Sequence, residues 1–138
     1  MTAPASLPMP PSEAQSQPFW DAVSNRQLVF QHCAACGNAW LPARSECPQC
    51  LSEEPVWLQS SGRARLVSWV VYHRAFNAAF AERLPYTVAI VELEEGPRMI
   101  TNIVGADPNT LEIDQRLILR IEQDGDVMVP RFTPAKGD

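Results

Sequence analysis

Every cysteine of the chain falls between residues 33 and 50, as two Cys-x-x-Cys pairs: Cys33 and Cys36 in CAACG, then Cys47 and Cys50 in CPQC. Two residues between cysteines is the spacing at which one tight turn brings both sulfurs to the same point, and a second such turn completes a tetrahedron around a zinc ion at roughly 2.3 Å from each sulfur. Four thiolates fill that shell. With no coordination position left for water or substrate, the expected role is structural, a staple for a module of about thirty residues too small to fold on burial alone. Gly37 follows the first pair, where the turn favours an unhindered backbone, and Pro48 stiffens the second. Iron in a rubredoxin-like site is the alternative occupant, disfavoured on affinity. Thioredoxin-type redox chemistry would need one reactive pair rather than two matched ones.

Little else along the chain has the spacing of a catalytic apparatus. His32 adjoins Cys33 and would have to displace a better thiolate ligand; His73 ends a strand with no nucleophile or carboxylate set beside it by a motif. There is no triad signature, Gly-rich phosphate loop or second metal cluster. The chain alone is therefore expected not to be a catalyst. The remaining residues that could touch a ligand or partner are aromatic. Phe76 and Phe80 stand at i and i+4 in RAFNAAFAERL, and Phe19 and Trp20 lie just after a proline-rich start. Trp69 and Tyr72 are expected in a strand and in the core.

The elements that must position these groups are mostly short. Residues 1–17 hold four prolines and almost nothing to bury, which reads as a flexible or partner-wrapped tail. Pro18 suits the first turn of a helix, PFWDAVSN, with Asn25 as a left-handed C-cap. LVFQH (28–32) and AWLPAR (39–44) carry the first cysteine pair on a hairpin, and SEEPVWLQSSG (52–62) is turn-rich and marks a boundary. Five strands follow, at 63–73, 85–96, 98–105, 116–122 and 126–132, the fourth alternating Leu117, Leu119, Ile121 against Arg116, Arg120, Glu122. Such a series, with longer irregular segments after the first and third strands, suits a five-stranded closed barrel of the OB type. The division expected is a tail (1–17), helix (18–27), zinc ribbon (28–59), OB-fold (60–133) and tail (134–138).

A ribbon joined to a small barrel is also a plan of single-strand nucleic-acid binders, which stack bases on aromatics above a basic groove. The charge argues against that. The formal net charge is −5, the pI about 5.0, and the basic residues, nearly all arginine, are scattered singly. No apolar run has the length of a membrane helix and the first residues lack a secretory signal, so a cytoplasmic protein is expected.

The order of residues resembles a known family. FW, then Leu and Gln before C-x-x-C-G, then LPAR-x-x-CPQC, Trp57, Gly62 and the block YTVAIVELEEGPRMITNIVG look like the acyl-CoA-associated proteins with a rubredoxin-like zinc ribbon and a C-terminal OB-fold. The likeness covers about residues 18–132. It departs at Ala43, where a second proline is common, and at Ala64 and Asp114, where glycine is common. The resemblance implies an accessory subunit of thiolase-fold enzymes or MaoC-type enoyl-CoA hydratases that helps to assemble the complex and to hold the CoA thioester. Only the four metal ligands carry over residue by residue.

Overall fold

The computed structural model of the protein describes residues 15–74 and 83–135. Phe76 and Phe80, with residues 1–14 and 136–138, lie outside the described residues.

Helix α1 (Gln17–Ser24) begins with Pro18 in its first turn, where a missing N–H costs nothing, and buries Val23 completely. Its end differs from the sequence expectation. Asn25 keeps φ −96°, and the left-handed residue is Arg26 at φ 61°. The amides of Arg26 and Gln27 return to the carbonyls of Val23 and Ala22, both at 2.9 Å, a Schellman closure that puts the left-handed residue one position later. The Asn25 side-chain amide donates instead to the Asp21 carbonyl at 3.0 Å.

The ribbon is a three-stranded antiparallel sheet in the order β2-β1-β3, formed by β1 (Val29–Cys33), β2 (Ala39–Trp40) and β3 (Pro55–Gln59). The third strand was not expected. PVWLQ looked like part of a turn because Pro55 and the acids before it are turn residues. Yet Pro55 occupies the first strand position, where no N–H is required, and the next four residues pair with β1 from Val56↔His32 to Gln59↔Val29.

The five remaining strands are β4 (Arg63–Tyr72), β5 (Tyr86–Leu93), β6 (Arg98–Ile103), β7 (Arg116–Asp124) and β8 (Val127–Pro134). They close in the order β4-β5-β6-β8-β7, with β7 returning to β4 and a short parallel contact between β6 and β8 at Ile103↔Phe132. This is the five-stranded Greek-key barrel of the OB-fold. β7 alternates as expected, with Leu117 buried between exposed Arg116 and Ile118. Asp114, which stands where the resembled family often has glycine, is left-handed (φ 64°), a conformation Asp tolerates better than most side chains.

Phe132, Leu66, Leu93, Leu117 and Val91 fill the barrel core. Trp69 packs against it as expected, whereas Tyr72 meets Tyr86, ring centroids 5.1 Å apart. The same core takes in Leu28 from the entry to β1 and draws Phe19 and Leu41 against it, so helix and ribbon share the barrel's apolar interior. At the junction, Glu95 accepts from the Ser60 hydroxyl (2.8 Å) and the Ser61 amide (2.7 Å), while the Ser61 hydroxyl donates to Glu94 (2.7 Å). Gly62 then turns at φ 84°, and a Cβ there would meet that of Leu119 at 3.3 Å.

Candidate metal centre and apolar groove

The two cysteine turns are built alike. In the first, the Gly37 amide donates to the Cys33 carbonyl and the Cys33 amide to the Asn38 carbonyl, both at 2.8 Å. In the second, Leu51 and Cys47 serve as donors to Cys47 and Ser52, both at 2.9 Å. Each turn passes through a left-handed residue directly after its second cysteine, Gly37 at φ 81° and Leu51 at φ 66°. The result is convergence: all four sulfurs lie within 4.8 Å of one another. Cys33 and Cys50 are 3.5 Å apart and Cys36 and Cys47 3.6 Å. Sulfurs at tetrahedral corners about 2.3 Å from a zinc ion stand about 3.8 Å apart, so this cluster fits such an ion.

The electrostatics of the cluster are asymmetric. Burial opposes charge on Cys47, yet the Cys50 and Gln49 amides, both 3.4 Å from its sulfur, and the neighbouring thiols outweigh it and bring its pKa down to about 6. Cys33 is likewise lowered, chiefly by the Cys36 amide. Cys36 moves the other way: the Asn38 amide favours its thiolate, but burial and the other three sulfurs push it up to about 12. Cys50 is also raised: the Ser52 amide favours its thiolate, but the Cys33 thiol and burial prevail. The buried first member of each pair is thus the readier thiolate, the form that binds metal. Indole and amide groups brace the platform: Gln31 Oε1 accepts from Trp40 Nε1 at 2.7 Å and from the Arg44 amide at 2.6 Å.

Phe19 and Trp20, the pair singled out as contact residues, lie together on α1. Their rings meet edge to face at 5.1 Å and form one wall of a groove of about 680 Å³ between α1, the ribbon and the barrel. Leu41 and Pro42 of the ribbon and Met99 and Ile100 of β6 form the other walls, and Ile100 is 73% exposed. Sequence reasoning missed this groove because its walls come from three distant segments. A signal was present: VAIV in β5 and MI in β6 are apolar on consecutive residues, so two members of the first and one of the second must face outward. A second recess of about 610 Å³ beside β5 and β6 is lined by Arg83 and Arg131. Both pair with Asp124, Arg131 at 2.6 Å, and Arg131 also reaches Glu122 at 3.1 Å, so both guanidiniums are already held by carboxylates. Neither histidine joins the cysteine cluster.

Two family models match the chain. Residues 20–56 match the family model of the ChsH2 rubredoxin-like zinc ribbon domain, and residues 57–122 that of the ChsH2 C-terminal OB-fold domain. A probable enoyl-CoA hydratase alpha subunit of Thermomonospora curvata is 37% identical over 134 residues, 96% of this chain; the chain spans only 41% of that relative's length. A DUF35 domain-containing scaffold protein of Methanothermobacter thermautotrophicus is 38% identical over 96 residues, 68% of this chain and 71% of the relative. Among solved structures, a chain of the Ltp2-ChsH2(DUF35) aldolase is 34% identical and superimposes with a TM-score of 0.82, over 91% of this chain and 98% of that one.

Proposed function

Because the chain belongs to the ChsH2 family of zinc-ribbon and OB-fold proteins, we propose that it is a non-catalytic accessory subunit of an acyl-CoA-processing complex, assisting assembly and the binding of the thioester. The observation that carries this reading is the joint match of helix, ribbon and barrel to the aldolase chain over nearly all of that chain's length. The partner is a thiolase-fold or MaoC-type enzyme, which supplies the reacting groups, and the apolar groove at Phe19 and Trp20 faces it or its acyl-CoA.

Cys33, Cys36, Cys47 and Cys50 hold one zinc ion in this reading. Bound there, a zinc ion would cross-link the two turns, with the four thiolates of these cysteines supplying its whole ligand set. The chain's own residues do the rest: the Gln49 and Cys50 amides stabilise the Cys47 thiolate, and Trp40 and Gln31 lock the sheet beneath it.

Co-purification of the native protein tests the function. A thiolase-fold or hydratase subunit recovered with it, together with retained acyl-CoA, is the expected result. Emergence alone, with no thioester bound, overturns the reading. Elemental analysis should return one zinc per chain, and the visible absorption of an iron–thiolate centre would correct the metal.

A further inference from the structure

Among the described residues, the ribbon sheet leaves one long edge unpaired, the side of β3 away from β1. We propose that this edge is a docking site for an extended segment of another protein, apolar at alternate positions and basic at both ends, which adds to the sheet as a fourth strand. The inference concerns the ribbon and stands whichever enzyme the chain accompanies.

Hydrogen bonds on the two sides of β1 fix which groups face outward. The Cys33 amide donates to the Asn38 carbonyl on the β2 side, and the Ser60 amide donates to the Leu28 carbonyl on the β3 side, both at 2.8 Å. Backbone groups alternate sides along a strand, so in the pairs Phe30↔Leu58 and His32↔Val56 the amides of Leu58 and Val56 turn towards β1. The amides of Trp57 and Gln59 and the carbonyls of Pro55, Trp57 and Gln59 therefore point the other way, where no described strand meets them. They repeat at about 6.8 Å, the interval at which an added strand presents its own donors and acceptors. Native edges are blunted by charge, proline or shortness. β2, the sheet's other edge, is two residues long, but β3 has Pro55 only at its start and then the uncharged run VWLQ. Val56 and Leu58 are 43% and 42% exposed, and alternate apolar side chains of an added strand would rest on them. Charge selects the occupant. Exposed Glu53 and Glu54 precede β3, and Glu94 and Glu95 hold the serines that follow it, with Arg63 the first cation beyond. Both ends of the edge are thus net negative. Antiparallel pairing with a second copy would bring Glu53 and Glu54 of each chain against Glu94 and Glu95 of the other, and parallel pairing would set the same acids side by side. Like charges opposed across strands are destabilising, so self-pairing is disfavoured and basic ends are favoured.

The test uses the metal-loaded full chain and two end-capped heptapeptides, Lys-Val-Thr-Val-Thr-Val-Lys and its counterpart with glutamate at both ends, followed by amide NMR at low salt. The lysine peptide at saturation should shift the Trp57 and Gln59 amides and slow their exchange about tenfold, leaving the Trp20 indole in place. It should bind about tenfold more tightly than the glutamate peptide. Gln59→Pro removes an outward donor but no bond to β1, a position where an edge strand tolerates proline, and should weaken lysine-peptide binding about tenfold. Glu53→Lys/Glu54→Lys, which alters exposed side chains only, should narrow the preference between the peptides. No response at Trp57 and Gln59, equal affinities for the two peptides, or shifts at Trp20 and Ile100 in place of β3 would overturn the proposal. So would Trp57 and Gln59 amides already protected in the free chain, whether they move on dilution, as for a second copy, or stay, as for a segment of the same chain.

Discussion

The ribbon's own buried cluster is Cys33, Trp40 and Cys47, two of them sulfur ligands, whereas the barrel closes over Leu66, Ala89, Val91, Leu93, Leu117 and Phe132. Two of the ribbon's buried residues belong to the cysteine cluster, beside only Phe30, Gln31 and Trp40, whereas the barrel interior is wholly apolar save for a few threonines at its edge. A sheet of two-residue and five-residue strands cannot offset its chain entropy by apolar burial, so a cross-link has to replace the core. The two units nevertheless touch through Leu28, Leu41 and Phe19, so the contrast is one of degree at the seam.

Removing the metal should have the largest effect and act on the ribbon. Structural zinc in isolated fingers contributes apparent values of roughly 10–16 kcal/mol, and chelation or Cys47→Ser should abolish amide protection from Val29 to Gln59. Barrel methyl resonances should keep their dispersion; a single transition in which both units melt together would break the comparison. Phe132→Ala attacks the other side. Loss of a fully buried phenyl ring should cost about 3–5 kcal/mol, read as a lower denaturant midpoint for the barrel with zinc stoichiometry unchanged.

A smaller effect separates the two cysteine turns themselves. Gly37 and Leu51 occupy equivalent left-handed positions, yet only one is glycine, and Leu51 is largely exposed. Leu51→Gly should therefore stabilise the ribbon by about 1 kcal/mol, and Gly37→Ala, which would meet nothing within 4 Å, should weaken it by a similar amount. Metal retention against a competing chelator measures both. The smallest expected effect is electrostatic and belongs to the barrel. The Arg83 guanidinium, with Arg131, holds Asp124 at about 2 against an ordinary 3.8. A lowered folded-state pKa stabilises above the unfolded value and is lost as the pH falls through the folded one. Between about pH 4 and 2 the wild type should lose on the order of 1 kcal/mol that Asp124→Asn does not, after allowance for solvent screening.

What could be read in advance follows the same divide between local and distant signals. The cysteine turns are encoded within four residues each, and the strand-to-strand alternation of Leu117 and Leu119 within three, so metal cluster and barrel were legible. PVWLQ was not, because its strand character comes from pairing with β1 more than twenty residues away rather than from its own composition. Asn25 and Arg26 were exchanged because the Schellman closure is set by which carbonyls the next amides reach. The outward apolar residues of β5 and β6 hinted at a surface, but not at the groove, because Trp20, Pro42 and Ile100 become neighbours only after the barrel has closed and the helix has packed on it.

The clasp of Glu94 and Glu95 on Ser60 and Ser61 bears on how movement passes through the molecule. Only Ser60, Ser61 and Gly62 separate β3 from β4, and Glu95 grips the first two from the opposite side of the joint. A displacement imposed on the cysteine turns is therefore handed to the β5–β6 turn instead of dissipating in a swinging linker. Built this way, the protein can serve as a gauge block, fixing the spacing between whatever grasps one end and whatever rests against the other.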